Sequence, residues 1–271
     1  MTLNDIFKLN CQIINWGGKI KYVLRLHHLP KVLKLLKNNR ALLNSRKHDT
    51  IYICGSGPSL AEVDLDKLGQ LHADTLVVNY FVKMASKTCL QPTYYMMADA
   101  AFLSPEHKQA LVKAIETYPQ TKFIFNSNFA IQDPNILRYD CQKYFLAMYN
   151  GNYNKPKEIN LLKVNPAFGN VICCAIAFAM GMGYKKIVLL GCDFNSFAFQ
   201  HEVHCYDGGT NNMAKRRISM STELFCYSFV AYKHLILAAY ANKHKISIEN
   251  STKGSLIDAY PIIIDDNLYK K

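Results

Sequence analysis

The chain has 271 residues, of which half are hydrophobic and 19% are charged, and its formal net charge is +12. This composition excludes a disordered protein, and the length suits one large domain or two small ones. The nine cysteines form no Cys-x-x-Cys pair, and several lie inside apolar runs. This usage favours buried thiols in a reducing compartment over disulfides or a metal centre.

Residues 1–48 contain ten Lys or Arg residues and a single acid, so +9 of the net charge lies in this segment. A helix here would gather its apolar and its basic residues on different faces: Leu33, Leu36, Leu42 and Leu43 on one, and Lys31, Lys34, Lys37 and Arg40 on another. Such a helix suits an anionic membrane surface, with Trp16 and Tyr22 as interfacial anchors. It suits equally a helix that packs on the main domain with a solvated basic face. We predict a boundary near residue 48, with a catalytic domain at 49–271.

The sequence contains no run of 18 apolar residues and no signal-peptide pattern, so we expect no membrane-spanning helix. We predict a cytoplasmic protein, held peripherally at the inner face of the cytoplasmic membrane if residues 1–48 bind lipid. Basic and aromatic residues do not interleave as in RNA-binding proteins, so nucleic acid is not an expected partner. The sequence leaves open whether the chain forms a homo-oligomer.

The stretch TIYICGSGPSL, residues 50–60, is an apolar run that ends in a glycine-rich turn. Gly55 and Gly57, with Ser56 between them, let a ligand approach the main chain, and phosphate is the usual occupant of such a turn. An ordinary strand-to-helix turn without a ligand has the same pattern. The stretch lacks both the Lys-Ser/Thr ending of a P-loop and the third glycine of a dinucleotide site.

From residue 50 onward, short apolar or β-branched runs alternate with helical patterns. We predict strands at 50–55, 75–80, 93–99, 122–128, 185–194 and 245–250, and helices at 59–71, 105–117, 171–182 and 222–244. The alternation predicts an α/β, Rossmann-like fold whose mainly parallel sheet carries helices on both faces. Ligands bind at the carboxyl edge of such sheets. The polar or small residues expected there are Gly55, Asn79, Asp99, Asn126, Asp193 and Asn250.

The long connection at about 195–221 is interpreted as a lid. Its candidate functional residues are His201, His204, Arg216 and Arg217. A loop histidine can act as a general base near Asp193, and the arginine pair can neutralise phosphate. The alternatives are histidines that face solvent, or a metal site completed by Asp207, although no recognised ligand spacing is present.

Five motifs give the chain a resemblance to bacterial sialyltransferase-like proteins and to the related 6-hydroxymethylpterin diphosphokinase-like proteins of surface-polysaccharide genes. They are GSGPSL, VVNYF, NPAFGNVICCAIAFAMGMGYKKIVLLGCDFN, HCYD and IENSTKGSLIDAYP, and they are spread over residues 50–261. The resemblance implies a Rossmann-like fold and a sugar donor activated by cytidine monophosphate (CMP). It implies no cofactor besides that donor.

The same resemblance implies a set of donor-binding residues: Gly55, Ser56, Gly57, Asn79, Asp99, Gly169 and Asn170. Ser56 stands where the sialyltransferases have asparagine. Their proposed catalytic histidine would fall near Ser228, which cannot act as a base. We therefore assign the base to His204, with His201 as the second candidate, and expect Asp193, Arg216 and Arg217 to assist.

These observations predict a metal-independent glycosyltransferase that moves a sialic-acid-like sugar to a cell-surface polysaccharide or lipopolysaccharide. One alternative is an ATP-dependent diphosphokinase whose Mg²⁺ is held by Asp99 and Asp193. The other is a membrane-surface scaffold without catalytic activity.

Overall fold

The computed structural model describes residues 9, 13, 26–43, 45–149, 158–199, 204–206 and 219–270. The strands in this part of the chain are β1 Thr50–Cys54, β2 Asp74–Val78, β3 Tyr94–Met97, β4 Lys122–Asn126, β5 Gln142–Leu146, β6 Met148–Tyr149, β7 Asn165–Pro166, β8 Lys186–Leu190 and β9 Ser247–Asn250. Seven of them form one parallel sheet in the order β5-β4-β3-β2-β1-β8-β9. The remaining two, β6 and β7, pair with each other.

The α-helices within the described ranges are α1 Leu29–Lys37, α2 Arg40–Leu43, α3 Leu65–Leu68, α4 Pro105–Thr117, α5 Ser127–Gln132, α6 Val171–Gly181 and α7 Met220–Lys243. Short 3₁₀ helices lie at Leu26–His28, Pro58–Glu62, Asn79–Met84, Ala100–Leu103, Pro134–Arg138, Ser196–Ala198 and Asp266–Leu268. Helical segments connect successive strands of the sheet, because parallel neighbours need a crossover connection.

Each face of the sheet has its own buried core, because successive strand residues point to opposite faces. On one face, Ile51 and Ile53 pack with α6 and α7; on the other, Cys54 packs with residues of α1, α3, α4 and α5. α6 lies between the sheet and α7, and its residues from Ile172 to Met180 are all buried. The predicted α/β fold with helices on both faces is confirmed.

The predicted helix at 59–71 is wrong. A 3₁₀ helix at Pro58–Glu62 ends first, and α3 then begins anew because Asp64 accepts a hydrogen bond from the Lys67 N–H (3.0 Å). The edge strand β5 was not predicted. Its first residue, Gln142, is exposed and Lys143 is half-buried, so it shows no apolar run.

The N-terminal helices pack on the sheet domain. Val32 and Leu36 are buried, whereas Leu33 is 41% exposed and Leu43 is 37% exposed. The four leucines expected on one helical face are therefore divided, with Leu36 and Leu42 in the core and Leu33 and Leu43 at the surface. Because α1 contacts β5 and α5, the alternative in which this segment packs on the main domain describes α1 and α2. The boundary near residue 48 stays a prediction, as does membrane binding.

α7 is long and apolar enough to cross a membrane, and among the described helices it alone meets this test. The test is weak evidence, because the core helix of a water-exposed domain passes it too. About a third of the apolar stretch of α7 is buried, and α7 packs against α6 and β9.

Candidate functional site

A cleft of about 180 Å³ opens at the carboxyl ends of β1 and β8. The chain proceeds from β1 to β2 on one side of the sheet and from β8 to β9 on the other, so the strand order reverses between β1 and β8 while all strands stay parallel. Ligands of open α/β sheets bind at such switch points. Six predicted site residues line the cleft: Gly55, Ser56, Gly57, Asn170, Asp193 and His204.

The two glycines after β1 are required by their contacts with the end of β8. A Cβ atom on Gly55 would lie 2.3 Å from the carbonyl oxygen of Gly191, and one on Gly57 would lie 2.0 Å from Oδ2 of Asp193. The Gly55 N–H donates to the carbonyl of Leu190 (2.7 Å), and the Gly57 N–H donates to that of Gly191 (2.9 Å). These two N–H groups already have acceptors within the chain and are not available to a phosphate, while the other donor-binding roles expected of this turn stay predictions.

Asp193 follows β8 and fastens the glycine turn from that side. Its side chain is buried, and its carboxylate accepts hydrogen bonds from the Ser59 N–H (3.2 Å) and the Ser59 hydroxyl (2.8 Å). Burial raises the pKa of Asp193, and the two hydrogen bonds from Ser59 oppose that shift. The geometry gives Asp193 a role in holding the turn, while a catalytic role stays a prediction.

The segment after β9 anchors the end of β8 from the other side. Ser255 Oγ donates to the carbonyl of Cys192 (2.7 Å) and accepts from Nδ2 of Asn250 (2.8 Å). Thr252 Oγ1 accepts from the Cys192 N–H (3.1 Å), and all four of these residues are buried. Ser255 and Thr252 were not predicted to support the site. The sequence signal for them is the small polar run NSTKGS.

Asn79 follows β2 directly after Val78, which lines the cleft. Its backbone is left-handed (φ +50°), and the Tyr95 hydroxyl donates to its carbonyl (2.6 Å). The side-chain Oδ1 of Asn79 is buried and has no hydrogen-bond partner among the described residues. A buried acceptor left without a partner costs about 1–3 kcal/mol. A ligand that donates a hydrogen bond to this oxygen removes that cost.

The first turn of α6 forms another side of the cleft. Asn170 caps the helix through Oδ1, which accepts from the Cys173 N–H (2.9 Å), and the next two residues line the cleft. Gly169 precedes the cap with a positive φ of 98° and lies next to Lys233 of α7. The N-terminus of a helix favours an anion, because its first N–H groups point outward.

The segment from His204 to Tyr206 lies over the glycine turn. The Cys205 N–H donates to the carbonyl of Ser56 (3.1 Å), and the Cys205 side chain is buried. His204 is half-buried and stacks on Tyr206 with ring centroids 4.9 Å apart. Nζ of Lys83 lies 4.5 Å from the centre of the Tyr206 ring. The structure thus places the predicted base in the cleft, and its role as a base stays a prediction.

Asp99 lies outside the cleft, at the end of β3 and two strands away from β1. It is exposed, and it accepts a hydrogen bond from the Ala101 N–H (3.0 Å) as the cap of a 3₁₀ helix. Because neighbouring strands are about 4.8 Å apart, the ends of β3 and β8 are separated by roughly 14 Å. Asp99 and Asp193 therefore cannot bind one metal ion together. The remaining predicted residues, His201, Arg216 and Arg217, lie outside the described part of the chain, as does Asp207.

A fully buried histidine, not singled out in the sequence, lies where α7 packs on α6. Nδ1 of His234 is 3.0 Å from the Tyr260 hydroxyl, and its Nε2 is 3.4 Å from Sγ of Cys173. Burial lowers the pKa of His234 to about 4, so the ring is neutral at pH 7. The apolar sequence around it, HLILAAY, is the signal that this histidine belongs to the core.

The doubly wound sheet and the cleft at its switch point define a Rossmann-like α/β protein. Residues 25–198, well over half of the chain, match the family model described as 6-hydroxymethylpterin diphosphokinase MptE-like. The chain belongs to this family, which confirms the predicted relationship. A comparison with curated protein sequences gave no match.

Solved structures with a similar fold include three bacterial transferases. The MAf glycosyltransferase from Magnetospirillum magneticum AMB-1 has a TM-score of 0.55 at 12% identity, over 88% of this chain and 39% of its own. The chain thus spans about two fifths of that protein. The α-2,3-sialyltransferase Cst-I from Campylobacter jejuni has a TM-score of 0.47 at 17% identity, over 84% and 83% of the two chains.

The sialyltransferase CstII from Campylobacter jejuni, in complex with the substrate analogue CMP-3FNeuAc, has a TM-score of 0.47 at 14% identity, over 82% and 88% of the two chains. At these identities the similarity shows a shared fold only.

Proposed function

We propose that the protein is a glycosyltransferase that binds a nucleotide-activated sugar in the cleft between β1 and β8. The observation that supports this most directly is the buried Oδ1 of Asn79, which lacks a partner among the described residues and belongs to the residue directly after Val78 of the cleft wall. A ribose hydroxyl or the amino group of a nucleobase can donate to it. Such a group satisfies the acceptor in a way that an apolar ligand cannot.

The phosphate of the donor is assigned to the first turn of α6. In the glycine turn, the N–H groups of Gly55 and Gly57 already donate to the carbonyls of Leu190 and Gly191. The Ser59 N–H already donates to the Asp193 carboxylate. The turn therefore supplies a wall that packs closely on the residues after β8, because any side chain at Gly55 would collide with Gly191. The N-terminus of α6 supplies the positive end of a helix dipole on the same cleft.

In the proposed reaction an acceptor hydroxyl attacks the anomeric carbon of the donor sugar. The bond from that carbon to the phosphate oxygen breaks, and the departing phosphate keeps the electron pair. His204 takes the proton of the attacking hydroxyl, since it lines the cleft and is only half-buried. The N-terminus of α6 stabilises the negative charge that grows on the phosphate.

The finer assignment is a CMP-activated, sialic-acid-like donor and a cell-surface polysaccharide or lipopolysaccharide acceptor. Its support is the sequence resemblance carried by GSGPSL and VVNYF. We propose that no metal ion takes part in the transfer. If so, EDTA leaves the rate unchanged, whereas a loss restored by Mg²⁺ would count against this assignment.

The family description makes an ATP-dependent diphosphokinase the second candidate. That reaction normally uses Mg²⁺ bound by carboxylates and phosphates. The pair named from the sequence, Asp99 and Asp193, is separated across three strand spacings, so Mg²⁺ would need other ligands.

Thermal unfolding with CMP, CDP, UDP, GDP and ATP, each with and without Mg²⁺, tests the proposal. A ligand at a hundred times its dissociation constant stabilises by about 2.7 kcal/mol, which raises Tm by roughly 5–10 °C for a chain of this size. We expect CMP to give the largest shift, Asn79→Ala to abolish it, and Asn242→Ala, at an exposed position, to retain it. A shift with ATP and none with CMP would favour the diphosphokinase. No shift with any nucleotide would overturn both.

A further inference from the structure

The N-terminal helices are held on the domain in one orientation. Asn39, between α1 and α2, is buried, and its Nδ2 donates to the carbonyls of Phe145 (2.7 Å) and Leu161 (2.7 Å). Its Oδ1 accepts from the Phe145 N–H (3.2 Å). Val32 and Leu36 pack into the core on the same side. The opposite side of these helices is consequently fixed as a surface.

That surface combines positive charge with exposed leucines. Its charged members are all exposed: Lys31, Lys34, Lys37 and Arg40. Leu33 is 41% exposed and Leu43 is 37% exposed within the same stretch. No acidic residue occurs from position 26 to position 43. We call these six residues the basic face.

The junction between the two helices of the basic face lies near the edge of the sheet that carries the cleft. Asn39 is bonded to Phe145, which is the residue before the last in β5, and α1 contacts α5, which directly follows β4. The carboxyl ends of all strands in a parallel sheet lie at one edge. The junction between α1 and α2 therefore lies at the same edge as the ends of β1 and β8.

We propose that the basic face docks on an anionic membrane surface, with its lysines and arginine on lipid headgroups and its two leucines in the interfacial layer. Charge complementarity supports a lipid partner, because each Lys or Arg near such a surface adds about fivefold to binding. The exposed leucines support it further, because a nucleic-acid backbone gains nothing from them while an acyl boundary does. A second copy of the chain would bring the same positive charge and be repelled.

The test is sedimentation of the full chain with vesicles of equal parts phosphatidylglycerol and phosphatidylcholine, and with pure phosphatidylcholine vesicles. We expect binding to the anionic vesicles only. The variant with Lys31, Lys34, Lys37 and Arg40 all changed to Gln should bind about 600-fold more weakly, since four factors of about five multiply. A matched control removes four exposed lysines from outside α1 and α2, namely Lys67, Lys87, Lys113 and Lys185, and should bind within about threefold of the original chain.

A second variant, Leu33→Gln with Leu43→Gln, keeps the charge and removes the apolar contact. We expect it to lose about tenfold in binding at high salt, where charge attraction is screened. Equal losses in the two quadruple variants would overturn the proposal, since net charge alone would then explain binding. Unchanged vesicle binding by the first quadruple variant, with loss of its binding to duplex DNA, would overturn it in favour of nucleic acid. Melting curves of all variants without vesicles check that each is folded.

Discussion

The two sides of the cleft differ in how they are held. At the ends of β1 and β8, buried hydrogen bonds fix the backbone, and Asp193, Asn250 and Ser255 are each less than a tenth exposed. The segment from His204 to Tyr206 is half-buried apart from Cys205, and a backbone hydrogen bond to Ser56 links it to the first side. A closely bonded side can fix where a ligand lies, whereas the half-buried imidazole of His204 lines the cleft opposite and can meet a reacting hydroxyl there.

The largest expected effect comes from the side of the cleft that carries His204. We expect His204→Ala to lower the turnover of sugar transfer by about 10² to 10⁴, the usual contribution of a general base, with nucleotide affinity little changed. Initial rates of CMP release from a CMP-activated acid sugar, together with CMP-induced melting shifts, measure both quantities.

The control for His204 is His72→Ala, at an exposed position that does not line the cleft. Near-normal turnover in His204→Ala, with loss of turnover in Asp193→Asn, would assign the base to the carboxylate. The catalytic base would then lie at the end of β8.

At the ends of β1 and β8, Gly55→Ala should lower the free energy of unfolding by about 3 kcal/mol and abolish nucleotide binding. The new methyl group would meet the Gly191 carbonyl oxygen at 2.3 Å, and backbone atoms there cannot move without breaking the Gly57 hydrogen bond. Urea unfolding measures the change. The matched control is Gly69→Ala, where the nearest atom is the flexible end of Leu90 at 3.2 Å, and we expect a change below about 1 kcal/mol. Equal losses of unfolding free energy in the two variants would show that the backbone at the ends of β1 and β8 moves readily to accommodate a side chain.

The buried His234 predicts that the free energy of unfolding depends on pH. Its pKa is about 4 in the folded protein and near 6.5 in an unfolded chain, so protons bind more tightly to the unfolded state between these values. Stability should therefore fall as pH drops from 7 to 4, by about 3 kcal/mol from this residue. The raised pKa of Asp193 acts in the opposite direction on acidification.

Urea unfolding at pH 7 and pH 4.5 isolates the contribution of this histidine. We expect His234→Gln to lose less stability on acidification than the original chain, while His72→Gln, at the exposed position, should behave like the original chain. If all three proteins lose equal stability on acidification, protonation of His234 upon unfolding is not the cause of that loss.

The smallest effect should come from Lys83, which contacts the ring that supports His204. Lys83→Met keeps the length of the side chain and removes the cation, so Tyr206 loses an attraction of about 0.5–1 kcal/mol. We expect kcat to fall about twofold to fivefold with KM for the donor unchanged, and Lys83→Arg to restore it. A change in KM alone would mean that Lys83 affects donor binding and not the placement of His204.

Local sequence features were enough to predict the layers of this fold. The helix at Pro105–Thr117 agrees with its prediction at both ends, and α6 agrees to within one residue. Strand ends at Gly55, Asn79 and Asp193 were predicted to share an edge, and they do. These features depend on neighbours close in sequence, because apolar periodicity, proline and glycine act within a few residues.

Only the tertiary structure decided how the polar groups of the site are paired. The Asp193 carboxylate accepts hydrogen bonds from Ser59, 134 residues earlier in the chain. The N–H groups of Gly55 and Gly57 donate to the carbonyls of Leu190 and Gly191, so they do not face a ligand as the sequence suggested. Strand order separated Asp99 from Asp193, and the fold left Asn79 Oδ1 buried with no partner in the described part of the chain, while the Asn79 carbonyl accepts from Tyr95. A hydrogen bond joins whichever groups the folded chain brings within about 3 Å, and sequence spacing does not encode that distance.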